Sequence, residues 1–130
     1  MRAIDTNVLA RLILQDDDEQ ARIAEAVIRR PFWITLTVWL ELGWLLYRRL
    51  KLDRAVVGDA LLAILAIETA HGPDTEGLGW AIARFRDGAD WADMIHLVAA
   101  RNVADRLTTF DAGIAHRSGD STPIIIETLS

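Results

Sequence analysis

The chain contains no cysteine. That excludes a disulfide scaffold, a thiolate metal centre and cysteine-based catalysis. Its eight glycines never fall into a P-loop or a dinucleotide fingerprint, which removes those modes of phosphate binding. No Ser-His-Asp set stands out. Lysine is nearly absent, with Lys51 the single example. Long apolar runs are missing too: residues 60–67, and the Val38–Tyr47 stretch that Glu41 interrupts, fall short of the ~20 residues a membrane span needs. Asp5 breaks any apolar core of a signal peptide, so the expected address is the cytoplasm. Basic residues are outnumbered 14 to 19, a net charge of −5. That balance argues against nucleic-acid binding by bulk electrostatics, because phosphate neutralisation needs clustered cations.

What is present is a globular composition, 52% hydrophobic and 25% charged over 130 residues. It fits a single domain, residues 1–130, and excludes wholesale disorder. The patterning predicts short strands at Arg2–Ile4, Phe32–Thr35, Arg106–Phe110 and Ile124–Glu127. It predicts helices at Asn7–Leu14, from the acidic turn Gln15–Glu19 to Arg30, at Thr37–Lys51, from an Asp53 cap to about Ile67, at Pro73–Asp87 and at Trp91–Val103, with a helical turn at Ala112–Arg117. The polar, glycine-rich stretch Glu68–Gly79 leaves a middle strand open. Strands alternating with helices, and no hairpin signal, indicate an α/β fold: a three-layer α/β/α sandwich around a short, mainly parallel sheet.

Acids fall where such a sheet binds ligands, outside the carboxyl ends of its strands. Asp5 closes the first strand and Asp111 closes the Leu-Thr-Thr-Phe strand, while Asp90 and Asp93 open the Trp91 helix. Each of these has a plain alternative as a helix cap. Glu41 does not. Its neighbours one turn away are Thr37, Val38, Trp44 and Leu45, in a helix that reads as apolar all round and therefore buried. A buried carboxylate costs several kcal/mol unless paired. A shared divalent cation would compensate all of these acids, and Mg²⁺ or Mn²⁺ with oxygen ligands suits phosphoester hydrolysis by an activated water.

At these residues the sequence resembles the PIN-domain ribonucleases, and more closely the VapC toxins of bacterial toxin–antitoxin pairs. The matching pieces are Ile4-Asp5-Thr6-Asn7-Val8-Leu9, Val38-Trp39-Leu40-Glu41, Asp90-Trp91-Ala92-Asp93-Met94-Ile95-His96 and Leu107-Thr108-Thr109-Phe110-Asp111. They occur in family order and together span most of the chain. The resemblance implies a PIN-like fold and a metal-dependent endoribonuclease cleaving single-stranded or looped RNA with Mg²⁺ or Mn²⁺. It assigns Asp5, Glu41, Asp93 and Asp111 as catalytic, metal-holding acids. Thr6, Asn7, Asp90 and Thr109 stand behind them, orienting acids or water. It also implies a cognate VapB-like antitoxin and a homodimer.

Several residues have competing readings. His96, one turn after Asp93, reads as a core histidine or a support for the acids, because hard oxygen ligands are already supplied. Arg11 suits an RNA phosphate or a surface ion pair, and Arg48, Arg49, Arg84 and Arg86 are further candidates for phosphate contact. The Trp39–Tyr47 and Leu9–Leu14 segments are candidate walls of a groove for the antitoxin or a second protomer. Two rival functions fit an acidic pocket. A receiver-like or phosphatase-like domain would need a lysine near the site, and Lys51 lies at the end of an apolar helix. A non-catalytic interaction module with a decayed site is opposed by the retained acids.

Overall fold

A computed structural model describes residues 1–130, which form two compact units, Met1–Pro73 and Asp74–Ser130. The first unit is built on β1 (Arg2–Ala3), β2 (Phe32–Trp33) and β3 (Ala70–His71), all parallel and in the order β1-β2-β3. Phe32 is the register partner of both Arg2 and Ala70. The ladder continues past the strand ends, since the Ile4 N–H donates to the Trp33 carbonyl (3.0 Å) and the Ile34 N–H to the His71 carbonyl (2.8 Å). The connections are helical: α1 (Thr6–Leu14) and α2 (Asp18–Val27) link β1 to β2. From β2 to β3 run α3 (Leu36–Trp44), a π-helical turn at Leu45–Arg49, and α4 (Arg54–Leu65). Parallel neighbours require such crossovers.

Local chemistry sets the helix starts. Asp17 accepts from the Gln20 N–H (3.0 Å), with Asp18 and Glu19 in the first turn of α2, so the acidic run is a solvated helix start that complements the dipole. Thr35 caps α3 through its hydroxyl, 3.3 Å from the Val38 nitrogen. Asp53 occupies the cap position of α4 but makes no side-chain capping bond. The expected long helix to Lys51 leaves α geometry after Trp44. The Leu50 N–H then reaches back five residues to the Leu45 carbonyl (2.9 Å) and the Leu52 N–H reaches Leu46 (3.1 Å). Leu9, Phe32, Ile34, Trp39, Leu42, Leu46 and Leu61 are fully buried, each contributing about 1.5–3 kcal/mol of transfer free energy.

The open middle segment does contain a strand. β3 is two residues long, and Gly72 follows it under tight constraint: a Cβ there would stand 2.6 Å from the Ile34 carbonyl oxygen. Glycine is what allows the chain after β3 to pass so close to the β2 backbone. Gly72→Ala is therefore expected to destabilise the protein by about 1–3 kcal/mol, read as a lower midpoint in urea with an unchanged slope.

The second unit carries α5 (Thr75–Arg86), α6 (Trp91–Arg101), β4 (Arg106–Thr109), α7 (Ala112–Ser118) and β5 (Ile125–Thr128). β4 and β5 pair in parallel, with Arg106 opposite Ile125 and Thr109 opposite Thr128. α5 packs on α6, α6 on β4 and α7 on β5. Leu78, Ile82, Phe85, Met94, Leu97 and Val98 are buried in it, and the Phe85 and Trp91 rings meet edge-to-face at 5.9 Å. The fold class is thus helix-rich α/β with short parallel ladders, as the patterning indicated. No helix is long and apolar enough to cross a membrane.

Candidate active site

In the first unit, both α1 and α3 start immediately beyond the carboxyl ends of β1 and β2, and the two helices pack on each other. Asp5 is the N-cap of α1, its Oδ1 accepting from the Thr6 N–H at 2.7 Å. Thr6 is buried, so the backbone carrying Asp5 is anchored while the carboxylate itself is exposed. The cap reading and the site reading are compatible here, because capping occupies one carboxylate oxygen. Asn7 borders a surface groove between α1 and α2 that Arg11, Gln20 and Ile23 also line.

Glu41 departs from expectation. The helix α3 is not enclosed on all sides: Trp39, Leu42 and Gly43 are buried, whereas Thr37, Glu41 and Trp44 form an exposed stripe at helical spacing. Trp44 is 54% exposed. The bulk of apolar residues in this helix hid its amphipathic turn, since two of them, Trp44 and Leu40, are not core residues. Glu41 therefore carries no burial penalty and needs no cation to compensate one. What remains for it is its motif position and a carboxylate facing solvent.

The second unit brings two of the expected acids onto one point. Arg117 Nη2 lies 3.2 Å from Asp93 Oδ2 and 3.1 Å from Asp111 Oδ2. Each acid is oriented from behind. Asp90 caps α6, its Oδ2 accepting from the Asp93 N–H at 3.1 Å. Thr109 Oγ1 accepts from the Asp111 N–H at 3.0 Å, and Asp111 Oδ1 in turn caps α7 at the Gly113 N–H, 2.8 Å away. Asp111 thus uses one oxygen for the cap and the other for the shared cation. Burial lowers the Arg117 pKa, but hydrogen bonds to Asp111 and Asp93 outweigh it and hold the group charged. Two hard carboxylate oxygens converging on one positive atom are a donor set that suits Mg²⁺ or Mn²⁺. Within neither unit do three acidic or histidine side chains gather closely enough to hold an ion between them.

Other expected residues have different employment. His96 is exposed rather than a core residue, because it falls on the outer face of α6, opposite Met94, Ile95, Leu97 and Val98. Arg11 pairs with Asp16 at 2.7 Å, the surface ion pair and not a free phosphate ligand. Arg84 is committed internally, its Nε and Nη2 donating to the Arg117 carbonyl at 3.0 and 2.7 Å. Tyr47 supports the guanidinium of Arg54, 4.6 Å from the ring centre, and that of Arg48 at 5.8 Å. Arg117 itself escaped the sequence reading. Its partners lie 24 and 6 residues away, and no spacing rule connects residues across a helix, a strand and a turn.

No curated protein and no solved structure matches the chain. The PIN domain family model matches residues 3–119, running from β1 to the residue after α7 and taking in Asp5, Glu41, Asp93 and Asp111. The chain belongs to the PIN domain family.

Proposed function

We propose that this protein is a metal-dependent endoribonuclease, the toxin of a type II toxin–antitoxin pair, with residues 1–130 acting as one PIN domain. The observation that carries the reading is the convergence of Asp93 and Asp111 on one cationic nitrogen at 3.2 and 3.1 Å. These two acids are 18 positions apart, and both stand in pieces of sequence that resemble the nuclease motifs. PIN domains are generally nucleases, and they typically use divalent metals.

Asp5, Glu41, Asp93 and Asp111 are the carboxylates to which the chemistry is assigned. Mg²⁺ or Mn²⁺ held by such carboxylates would polarise a phosphate and lower the pKa of a bound water toward neutrality. The chain's own contribution is orientation. The Thr6 N–H holds Asp5, Asp90 holds the backbone of Asp93, and Thr109 holds that of Asp111. Asn7, next to these in the first motif, is assigned to the same supporting group. A net charge of −5 gives the protein weak general attraction for RNA, so strong dependence on the cation is expected. A VapB-like antitoxin and a second copy of the chain are the partners this reading carries with it.

The test is cleavage of a single-stranded RNA with Mn²⁺ or Mg²⁺ at millimolar levels, against the same mixture with excess chelator. Cleavage only with the cation is the expected result, and undiminished cleavage in chelator overturns the proposal. Because Glu41 is exposed, Glu41→Gln is expected to leave thermal stability within about 0.5 kcal/mol while lowering cleavage at least about tenfold. Equal cleavage by that variant removes Glu41 from the assigned set.

A further inference from the structure

Arg117 is placed with more care than an ordinary surface cation. Its backbone is fixed by Arg84, which grips the Arg117 carbonyl through two nitrogens. Space for its side chain is kept by Gly113, where a Cβ would collide with the Arg117 guanidinium and stand 3.0 Å from Asp111 Oδ1. The Arg117 Nε is buried without a hydrogen-bond partner, an unfavourable position that the two carboxylates at the other end of the group must offset. Those carboxylates are the ones assigned to the divalent cation. One Nη2 hydrogen-bonds to both of them, so the point they share is already filled by positive charge.

We propose that Arg117 is a built-in counter-cation of the Asp93–Asp111 pair, which a divalent metal ion must displace to enter. This rests on the nuclease reading and adds a regulatory element to the same site. Without metal, Arg117 neutralises two acids that would otherwise repel each other. With metal, the guanidinium leaves, because a dipositive ion with strict oxygen geometry and a guanidinium cannot occupy one point. Its side chain is 34% exposed and therefore has solvent to move into. Arg117 thus sets the cation concentration at which the site becomes charged. A plain structural bridge between α6 and α7 makes a different prediction: its removal lowers stability without tightening metal binding.

The experiment is calorimetric titration of Mn²⁺ into the full chain and into Arg117→Met, with melting curves of both in chelator and in Mn²⁺. Arg117→Met is expected to bind Mn²⁺ at least about tenfold more tightly, the gain of removing charge-assisted competition. It is also expected to melt lower than the unmodified protein in chelator and to recover more on Mn²⁺ addition. Equal or weaker binding by the variant overturns the inference while leaving the nuclease reading in place. Absence of Mn²⁺ binding in both proteins overturns the inference and the nuclease reading alike. Should Arg117→Met fail to fold, the unmodified protein still decides: the Arg117 Nε–H resonance, assigned by its loss in Arg117→Lys, is expected to shift on Mg²⁺ addition. An unmoved resonance at saturating Mg²⁺ overturns displacement.

Discussion

Asp93→Asn is expected to lower RNA cleavage by about 10²- to 10³-fold while the protein stays folded. The substitution keeps the shape of the side chain and an acceptor oxygen for Arg117, and removes only the charge that a divalent cation would need. α6 is unaffected at its start, because its cap is Asp90 and uses the backbone of residue 93. Asp5→Asn is the companion experiment. Asparagine caps helices about as well as aspartate, so the bond to the Thr6 N–H survives and α1 is retained. The pair therefore separates capping from chemistry: two variants with near-native melting and almost no cleavage are the expected outcome. Cleavage within a factor of about three of the unmodified protein, in either variant, would remove that acid from the catalytic set.

The largest expected effect on stability comes from outside the proposed site. Asp74→Ala should cost about 2–4 kcal/mol, from the loss of a helix cap together with one partner of a part-buried ion pair. Asp74 sits in the left-handed region at φ 55° and caps α5 by accepting from the Gly77 N–H at 2.9 Å. Its side chain, only 5% exposed, also takes Arg101 in a two-pronged ion pair, Nε at 2.7 Å, and the Asn102 amide at 2.9 Å. The alanine variant leaves Arg101 without its partner and the α5 start without its cap, and places a Cβ residue with no local acceptor at positive φ. Asp74→Asn keeps cap and conformation but not charge, and is expected to lose about half as much. Chemical denaturation of both variants measures the difference.

A pH dependence accompanies this cluster. Burial alone would raise the Asp74 pKa, but hydrogen bonds from Arg101, Asn102 and the Gly77 N–H, with the Arg101 charge, outweigh it and hold the carboxyl below its ordinary value. The folded protein thus holds this proton less tightly than the unfolded chain does. The resulting stabilisation is complete above the unfolded value and is lost as pH falls through the folded one, in the window below about pH 4. Asp74→Asn should flatten that part of the acid denaturation curve. An unchanged curve would show that other acids govern it.

Much of the architecture was legible because it rests on local signals. Every predicted strand and helix exists, with ends displaced by a few residues except where the Thr37–Lys51 helix turns π-helical after Trp44, since caps such as Asp5, Asp90 and Asp111 announce themselves by their place before an apolar-periodic run. The stretch that stayed open, Glu68–Gly79, holds a strand only because its Ala70–His71 pairs with β2, a partner nearly forty residues upstream. Its own composition, polar and glycine-rich, contains no strand signal. The misreading of Glu41 has a similar origin. A count of apolar neighbours made α3 look enclosed, whereas Thr37, Glu41 and Trp44 share one outward face. Patterning tells how many residues can be buried, and packing decides which ones are.

The sequence by itself determined the α/β class and the caps that start the helices, because these depend on residue type and short spacing, and its resemblance to a family singled out Asp5, Glu41, Asp93 and Asp111. The missing cysteine, the scarce lysine and the absent nucleotide fingerprints determined which chemistries were out of reach. Only the tertiary structure decided that Glu41 faces solvent, that Gly72 must lack a side chain beside the Ile34 carbonyl, and that Arg117 joins Asp93 to Asp111. These three depend on distances between residues far apart in the chain. Such distances arise when apolar faces pack, and no local interaction encodes them.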